Sequence, residues 1–102
     1  MTLSEVVVVR VYCSEAGHQH QTVLDLLHRA HRIAGVTAFR GIAGFGNSGH
    51  VHEAGLLHRS LDLPVIVEFF DRPEKVAEVL PLLNHVVAPG HIVSWPAQAN
   101  LD

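Results

Sequence analysis

Three groups of residues in this chain could do chemistry. The first is Arg40-Gly-Ile-Ala-Gly-Phe-Gly-Asn-Ser-Gly-His-Val-His52, which places four glycines within ten positions. Glycine forfeits side-chain contacts and costs backbone entropy on ordering. Such a density therefore points to backbone that takes positive φ or approaches another molecule closely. Consecutive N–H groups freed in this way can form a concave nest for phosphate oxygens. The second group is nine histidines, at positions 18, 20, 28, 31, 50, 52, 58, 85 and 91. His18-Gln-His20 and His50-Val-His52 each set two imidazoles two residues apart. In extended backbone both rings of a pair point the same way, and two such pairs could close a tetrahedral zinc or copper site; the plainer reading is solvated loop histidines. The third is Glu68, a carboxylate within an apolar run. It either has a raised pKa or pairs with a basic neighbour, Arg10 or Arg40.

A nucleophile is harder to find. Cys13 ends an apolar strand with no evident base beside it and reads as a packed thiol. No nucleophile elbow, phosphate-binding P-loop or metal-hydrolase helix is present, so the expectation is a non-enzymatic protein. His28 and His31, three apart on a polar helix face, read as surface residues, as do His58 and His85.

These groups must be positioned by 102 residues, a length that suits a single domain spanning 1–102. Hydrophobic content of 48% and charged content of 17% fit a globular chain with an ample core. The net charge is −3, and the seven basic residues form no stripe, which argues against a nucleic-acid partner. No apolar run is long enough for membrane insertion, and no basic region precedes Val6 to Val9 as in a signal peptide. One cysteine excludes an internal disulfide, and the expected location is the cytoplasm.

The elements alternate. Glu5 to Cys13 reads as a β-branched strand. After a loop from Ser14 to Gln19, residues from about His20 to Ala34 show the helical spacing of Val23, Leu26, Leu27, Ala30, Ile33 and Ala34, with Gly35 as C-terminal cap. A second strand runs from Val36 to about Gly46, followed by a long connection that reads as a flexible loop at about 47–62. Leu63 to Asp71 is a third strand, with Leu63, Val65, Val67 and Phe69 on one face and Ile66 and Phe70 on the other. Asp71-Arg-Pro-Glu74 reads as a helix start with Asp71 as cap. Val76, Val79, Leu80, Leu83, Val86 and Val87 give the buried stripe of that helix, and Pro81 should remove one of its hydrogen bonds and bend it. Pro89-Gly90 closes the helix, His91 to Trp95 is a last strand, and 96–102 is a tail.

This order predicts an α+β fold, a ferredoxin-like βαββαβ sandwich: a four-stranded antiparallel sheet with two helices on one face. A one-sided sheet should alternate apolar and polar residues. Here the two central strands are apolar on both faces, which predicts that another copy covers the open face. The competing reading is a monomer whose Arg10 and Glu68 mark a wet face.

Gly35-Val-Thr-Ala-Phe-Arg-Gly-Ile-Ala-Gly-Phe-Gly46, with Asp62-Leu-Pro-Val-Ile-Val-Glu68 and Pro89-Gly90-His91-Ile92, resembles the PII-like family known as domain of unknown function 190. More distantly it is similar to the PII nitrogen-regulatory signal proteins. The resemblance covers most of residues 5 to 95. It implies a homotrimer with inward-facing sheets and a small-molecule ligand, an adenine nucleotide or another anion, in the cleft between subunits. It further implies a signalling role in which the long loop is presented to a membrane-transport or enzyme partner. On the matching positions, Gly44, Phe45, Gly46, Asn47 and Ser48 would form the loop base near the ligand. Gly90 and His91 would form the turn that approaches phosphate, and Glu68 would lie on the strand lining the cleft. The chain departs from the PII pattern at Asn47, where PII proteins carry arginine, and at His91, where they carry lysine. It also lacks basic residues in 96–102. Each charged hydrogen bond contributes about 1.5–3 kcal/mol, so a mono- or diphosphate is expected ahead of a triphosphate. The alternative is a histidine-based divalent metal binder using His18, His20, His50 and His52.

Overall fold

The computed structural model describes residues 2–31, 33, 35–45, 52–53 and 63–101, with backbone alone at 30, 31, 52 and 53. The valine-rich first segment forms the longest strand, β1 (Ser4–Ser14). Helix α1 (Gln19–His31) follows, then strand β2 (Val36–Arg40) and two short strands, β3 (Ala43–Gly44) and β4 (His52–Glu53). Strand β5 (Pro64–Asp71), helix α2 (Pro73–Leu83) and strand β6 (Ile92–Ala99) complete the order. The main sheet is four-stranded in the order β2-β5-β1-β6, and every neighbouring pair is antiparallel. The sequence-predicted ferredoxin-like sandwich is the fold observed.

Strand periodicity divides the sheet into two faces. Val9, Val11 and Cys13 of β1 and Val65, Val67 and Phe69 of β5 are buried against Val23 and Leu27 of α1 and Val76, Val79 and Leu83 of α2. The opposite face carries Tyr12, Phe39, Phe70, Val93 and Trp95, each between 38 and 46% exposed. In its middle Arg10 Nε donates to Glu68 Oε1 at 2.6 Å, and the guanidinium carbon lies 5.6 Å from the centroid of the Trp95 ring.

Several boundaries differ from the sequence expectation. Ala16–His18 is a 3₁₀ turn leading into α1 rather than open loop, with Gly17 at φ 78° and His18 at φ 57°. Gly35 lies outside the positive-φ region, so it is not a left-handed helix cap. Asp71 belongs to β5; the residue preceding α2 is Arg72, with Pro73 opening the helix, and Asp71 Oδ1 accepts from the Arg72 N–H at 2.7 Å. Strand β2 stops at Arg40, short of Gly46. Strand β6 continues through Pro96 to Ala99, where a tail was expected, with Pro96 opposite Val7 and Ala99 opposite Ser4. Proline is tolerated there because β6 is an edge strand, where one side of the backbone has no strand to serve.

Candidate functional site

Strand register brings β2 out of the sheet at the end where β5 begins. Arg40 lies opposite Val65, and the Gly41 N–H donates to the Pro64 carbonyl at 2.7 Å. A Cβ at Gly41 would sit 2.8 Å from Pro64 Cγ, and one at Gly44 would sit 3.2 Å from the same atom. Two of the four glycines that mark this segment thus leave room for a proline of the same chain. Ala43 and Gly44 then pair with Glu53 and His52, closing the base of the long connection. Ile42 and Phe45 project beside it with 80 and 74% exposure. Gly46, Asn47, Ser48 and His50 lie outside the described residues.

The turn preceding β6 opens at the same end of the sheet. The His91 N–H donates to the Ala88 carbonyl at 3.3 Å, with Pro89 second and Gly90 third in the turn. Gly90 has φ 88°, the conformation a type II turn requires at that position. The backbone of His91 accepts from the Tyr12 N–H at 2.8 Å, and its ring Nδ1 lies 2.8 Å from the Tyr12 carbonyl. A carbonyl only accepts, so Nδ1 carries the hydrogen in that bond, and Nε2 is the ring's remaining polar atom.

Among the described residues no backbone hydrogen bond joins the loop base to the Gly90–His91 turn. The strand that leads into the loop base, β2, and the strand that leaves the turn, β6, are the two outer strands, with β5 and β1 between them. Three strand spacings amount to about 14 Å. Glu68 lies two residues further along β5 from Ile66, which is opposite both Tyr12 and Phe39. Its carboxylate is held by Arg10 and is not directed to the loop end by any described contact. The hydrogen bond to Glu68, followed by that to Tyr12, raises the pKa of Arg10 above its ordinary value.

The histidine pairs fare differently. His18 ends the 3₁₀ turn with left-handed backbone and His20 lies in the first turn of α1, so the backbone of that pair is not extended. The extended backbone that would point both rings the same way is therefore absent at this pair. Of His50 and His52, only the backbone of His52 is described. Among the described residues no group of three or more His, Cys, Asp or Glu is placed to hold a metal ion. Cys13 is buried, and desolvation pushes its thiol up to about 11. Sequence reasoning missed Glu15. Its carboxylate, and not that of Glu68, is the partner of Arg40. The pairing joins residues at the ends of two strands that are not neighbours in the sheet, so it follows from strand order rather than from any local motif.

A four-stranded antiparallel sheet carrying two helices is a ferredoxin-like fold, here with an extra two-stranded pair at the loop base. The chain belongs to the DUF190 family, described as uncharacterized ACR, whose model matches residues 6–99. It is 37% identical over 68 residues to the UPF0166 protein MJ1524 of Methanocaldococcus jannaschii, a match covering 67% of this chain and 61% of that protein. The chain therefore matches about three-fifths of that relative's length. CPII, a nitrogen regulatory PII-like protein of Thiomonas intermedia K12 solved with ADP, AMP and bicarbonate, superposes with a TM-score of 0.71 at 20% identity, covering 96% of this chain and 91% of that one. A putative PII-like signaling protein of Thermus thermophilus superposes with a TM-score of 0.66 at 14% identity, covering 97% and 91%. At these identities the likeness to the solved structures is one of fold.

Proposed function

We propose that this chain is a non-enzymatic, PII-like signalling protein. It forms a trimer and binds an adenine mono- or diphosphate, or a smaller anion, at the boundary between subunits. The observation that carries this reading is the placement of the loop base and the Gly90–His91 turn at one end of the sheet but on its opposite edges. One small ligand reaches both if the β2 edge of one copy stands beside the β6 edge of the next. The apolar open face supplies the reason for copies to gather, since an exposed patch of five large hydrophobic side chains favours association. In this arrangement Gly44, Phe45, Gly46, Asn47 and Ser48 border the ligand from one copy and Gly90 and His91 from its neighbour. Glu68 has a positioning role, holding Arg10 under Trp95. The segment from 47 to 62 is the part offered to a membrane-transport or enzyme partner. CPII, with the same fold, holds ADP, AMP and bicarbonate, which makes those compounds the first to test.

The test is a thermal-shift and calorimetric titration with ADP, AMP and bicarbonate. A ligand at 100 times its dissociation constant stabilises the native state by about 2.7 kcal/mol. His91→Lys restores a permanent charge at the turn and is expected to tighten ADP binding about tenfold, the equivalent of one charged hydrogen bond. Absence of any shift with all three compounds, in a protein of trimer mass, would overturn the ligand assignment. A monomeric mass would overturn the shared-cleft geometry.

A further inference from the structure

Three hydrogen bonds pin His91 where the turn enters β6. Its N–H donates to the Ala88 carbonyl at 3.3 Å, its carbonyl accepts from the Tyr12 N–H at 2.8 Å, and its ring Nδ1 donates to the Tyr12 carbonyl at 2.8 Å. Ring and backbone are thus tied to the same residue of β1, and the imidazole takes its position from the sheet. With Nδ1 spent as a donor, a neutral ring leaves only a lone pair on Nε2. Nε2 becomes a donor only when the ring takes a second proton.

The neighbouring backbone offers a further donor. Among the described residues no backbone carbonyl accepts from the Gly90 N–H. A Cβ built at Gly90 would meet nothing within 4 Å, so the turn is open to an incoming molecule. The charged and titratable groups of β1 within two residues of the His91 bonds are Arg10, Tyr12 and Cys13, and the segment from 84 to 90 adds His85. Arg10, the one permanent cation among them, is engaged by Glu68 and lies against Trp95. Cys13 is buried. The positive charge that an anion would meet at this turn is therefore the one His91 acquires on protonation.

A fully ionised phosphate oxygen only accepts hydrogen bonds, and so does Nε2 of the neutral ring. Two acceptors cannot bond, so a proton must lie between them, whether the ring or the anion brings it. We propose that a phosphate group bound at the Gly90–His91 turn takes up one proton with it, held between the phosphate oxygen and His91 Nε2. This inference rests on the turn being part of the ligand site proposed above, and it makes that site sensitive to pH. The sign follows from linkage. The complex holds a proton that the free partners shed as pH rises, so affinity is full at low pH and declines through neutrality. A single charged hydrogen bond contributes about ten- to hundredfold in affinity, which bounds the decline.

The experiment titrates the full chain with ADP and with AMP between about pH 6 and 9, a range that spans imidazole titration. The unmodified protein is compared with His91→Lys and His91→Gln. The nucleotide's own titration is common to all three, so the ratios of their Kd values isolate the ring. The unmodified protein should match His91→Lys at the acid end and bind about ten- to hundredfold more weakly than it at the alkaline end. The ratio between His91→Gln and His91→Lys should stay constant. Calorimetry near pH 7.5 in two buffers of different ionisation enthalpy should register proton uptake as the unmodified protein binds, a readout that needs no variant to fold. Two outcomes would overturn the proposal and leave the ligand site standing: parallel pH profiles for the unmodified protein and His91→Lys, or binding without proton uptake. Failure of both nucleotides to bind at any pH would overturn the nucleotide site and this proposal with it.

Discussion

At the scale of single residues, the glycines separate into two kinds. Gly41 is needed for space, since its missing Cβ would meet Pro64 Cγ at 2.8 Å. Gly90 is needed for conformation, with φ 88° and open space around it. Gly41→Ala should therefore cost about 1–3 kcal/mol through overpacking, and Gly90→Ala about 1–2 kcal/mol through left-handed strain. Guanidinium denaturation midpoints would check both. A mutation of Pro64 to alanine should relieve the first penalty and leave the second unchanged. Cys13 makes a different prediction. Its folded pKa of about 11 lies above the ordinary 9.0 of an exposed thiol. The folded state then keeps a proton that the unfolded state loses, so stability is full below pH 9 and declines as pH rises toward about 11. Cys13→Ala should flatten that part of the pH–stability curve, read by urea titrations between about pH 8 and 11. The packed thiol of Cys13 and the turn at Gly90 were legible in the sequence, whereas the spatial need for Gly41 was not. The sequence marks glycines as special, but only strand register reveals that Pro64 sits against two of them.

At the scale of elements, periodicity carried most of the information. The apolar alternation of β5 and the stripe of α2 emerge with Val65, Val67, Phe69, Val76, Val79 and Leu83 buried, as their spacing predicts. Boundaries depended on contacts that are remote in sequence. Pro96 reads as a terminator, yet β6 passes through it because the long β1 still has Ser4 to Val7 to pair. Asp71 reads as a helix cap, yet its backbone is taken by the ladder with Val7. Pro81 lies inside α2 two residues before its end. Pro81→Ala restores the missing N–H donor and should stabilise the chain by about 1–3 kcal/mol, measured as a raised unfolding midpoint. A loss of stability on that change would mean that the proline ring packs better than alanine can. The Glu15–Arg40 ion pair was invisible at this scale. It ties the end of β1 to the end of β2, two pieces no local motif joins.

At the scale of the whole molecule, the two-faced apolar sheet is the dominant fact. The helices cover one side, and the other presents aromatic rings around an Arg10–Glu68 ion pair. Sequence reasoning found this face because Ile66, Phe70 and the valines of β1 break the alternation a wet sheet would show. It did not foresee that Arg10 would also lie against Trp95. If copies meet through this face, Val93→Asp should convert a species of about 33 kDa, three times the 11.1 kDa chain, into one of single-chain mass. Light scattering after gel filtration would show it. The chain's one tryptophan is Trp95, so its emission should shift to the red on the same substitution. A native mass of 11.1 kDa in the unmodified protein would refute the assembly.

Gly41 and Gly44 at the outgoing arm grip Pro64 at the returning one, and the pairing of β3 with β4 adds a second clasp. The neck of the connection is thus sealed by contacts that belong to the scaffold. With the ends already fixed, doubling the number of intervening residues adds only about 0.6 kcal/mol of closure entropy. The neck therefore acts as a socket: the insert between its clasps can change in length at little cost while the sheet beneath it keeps its shape.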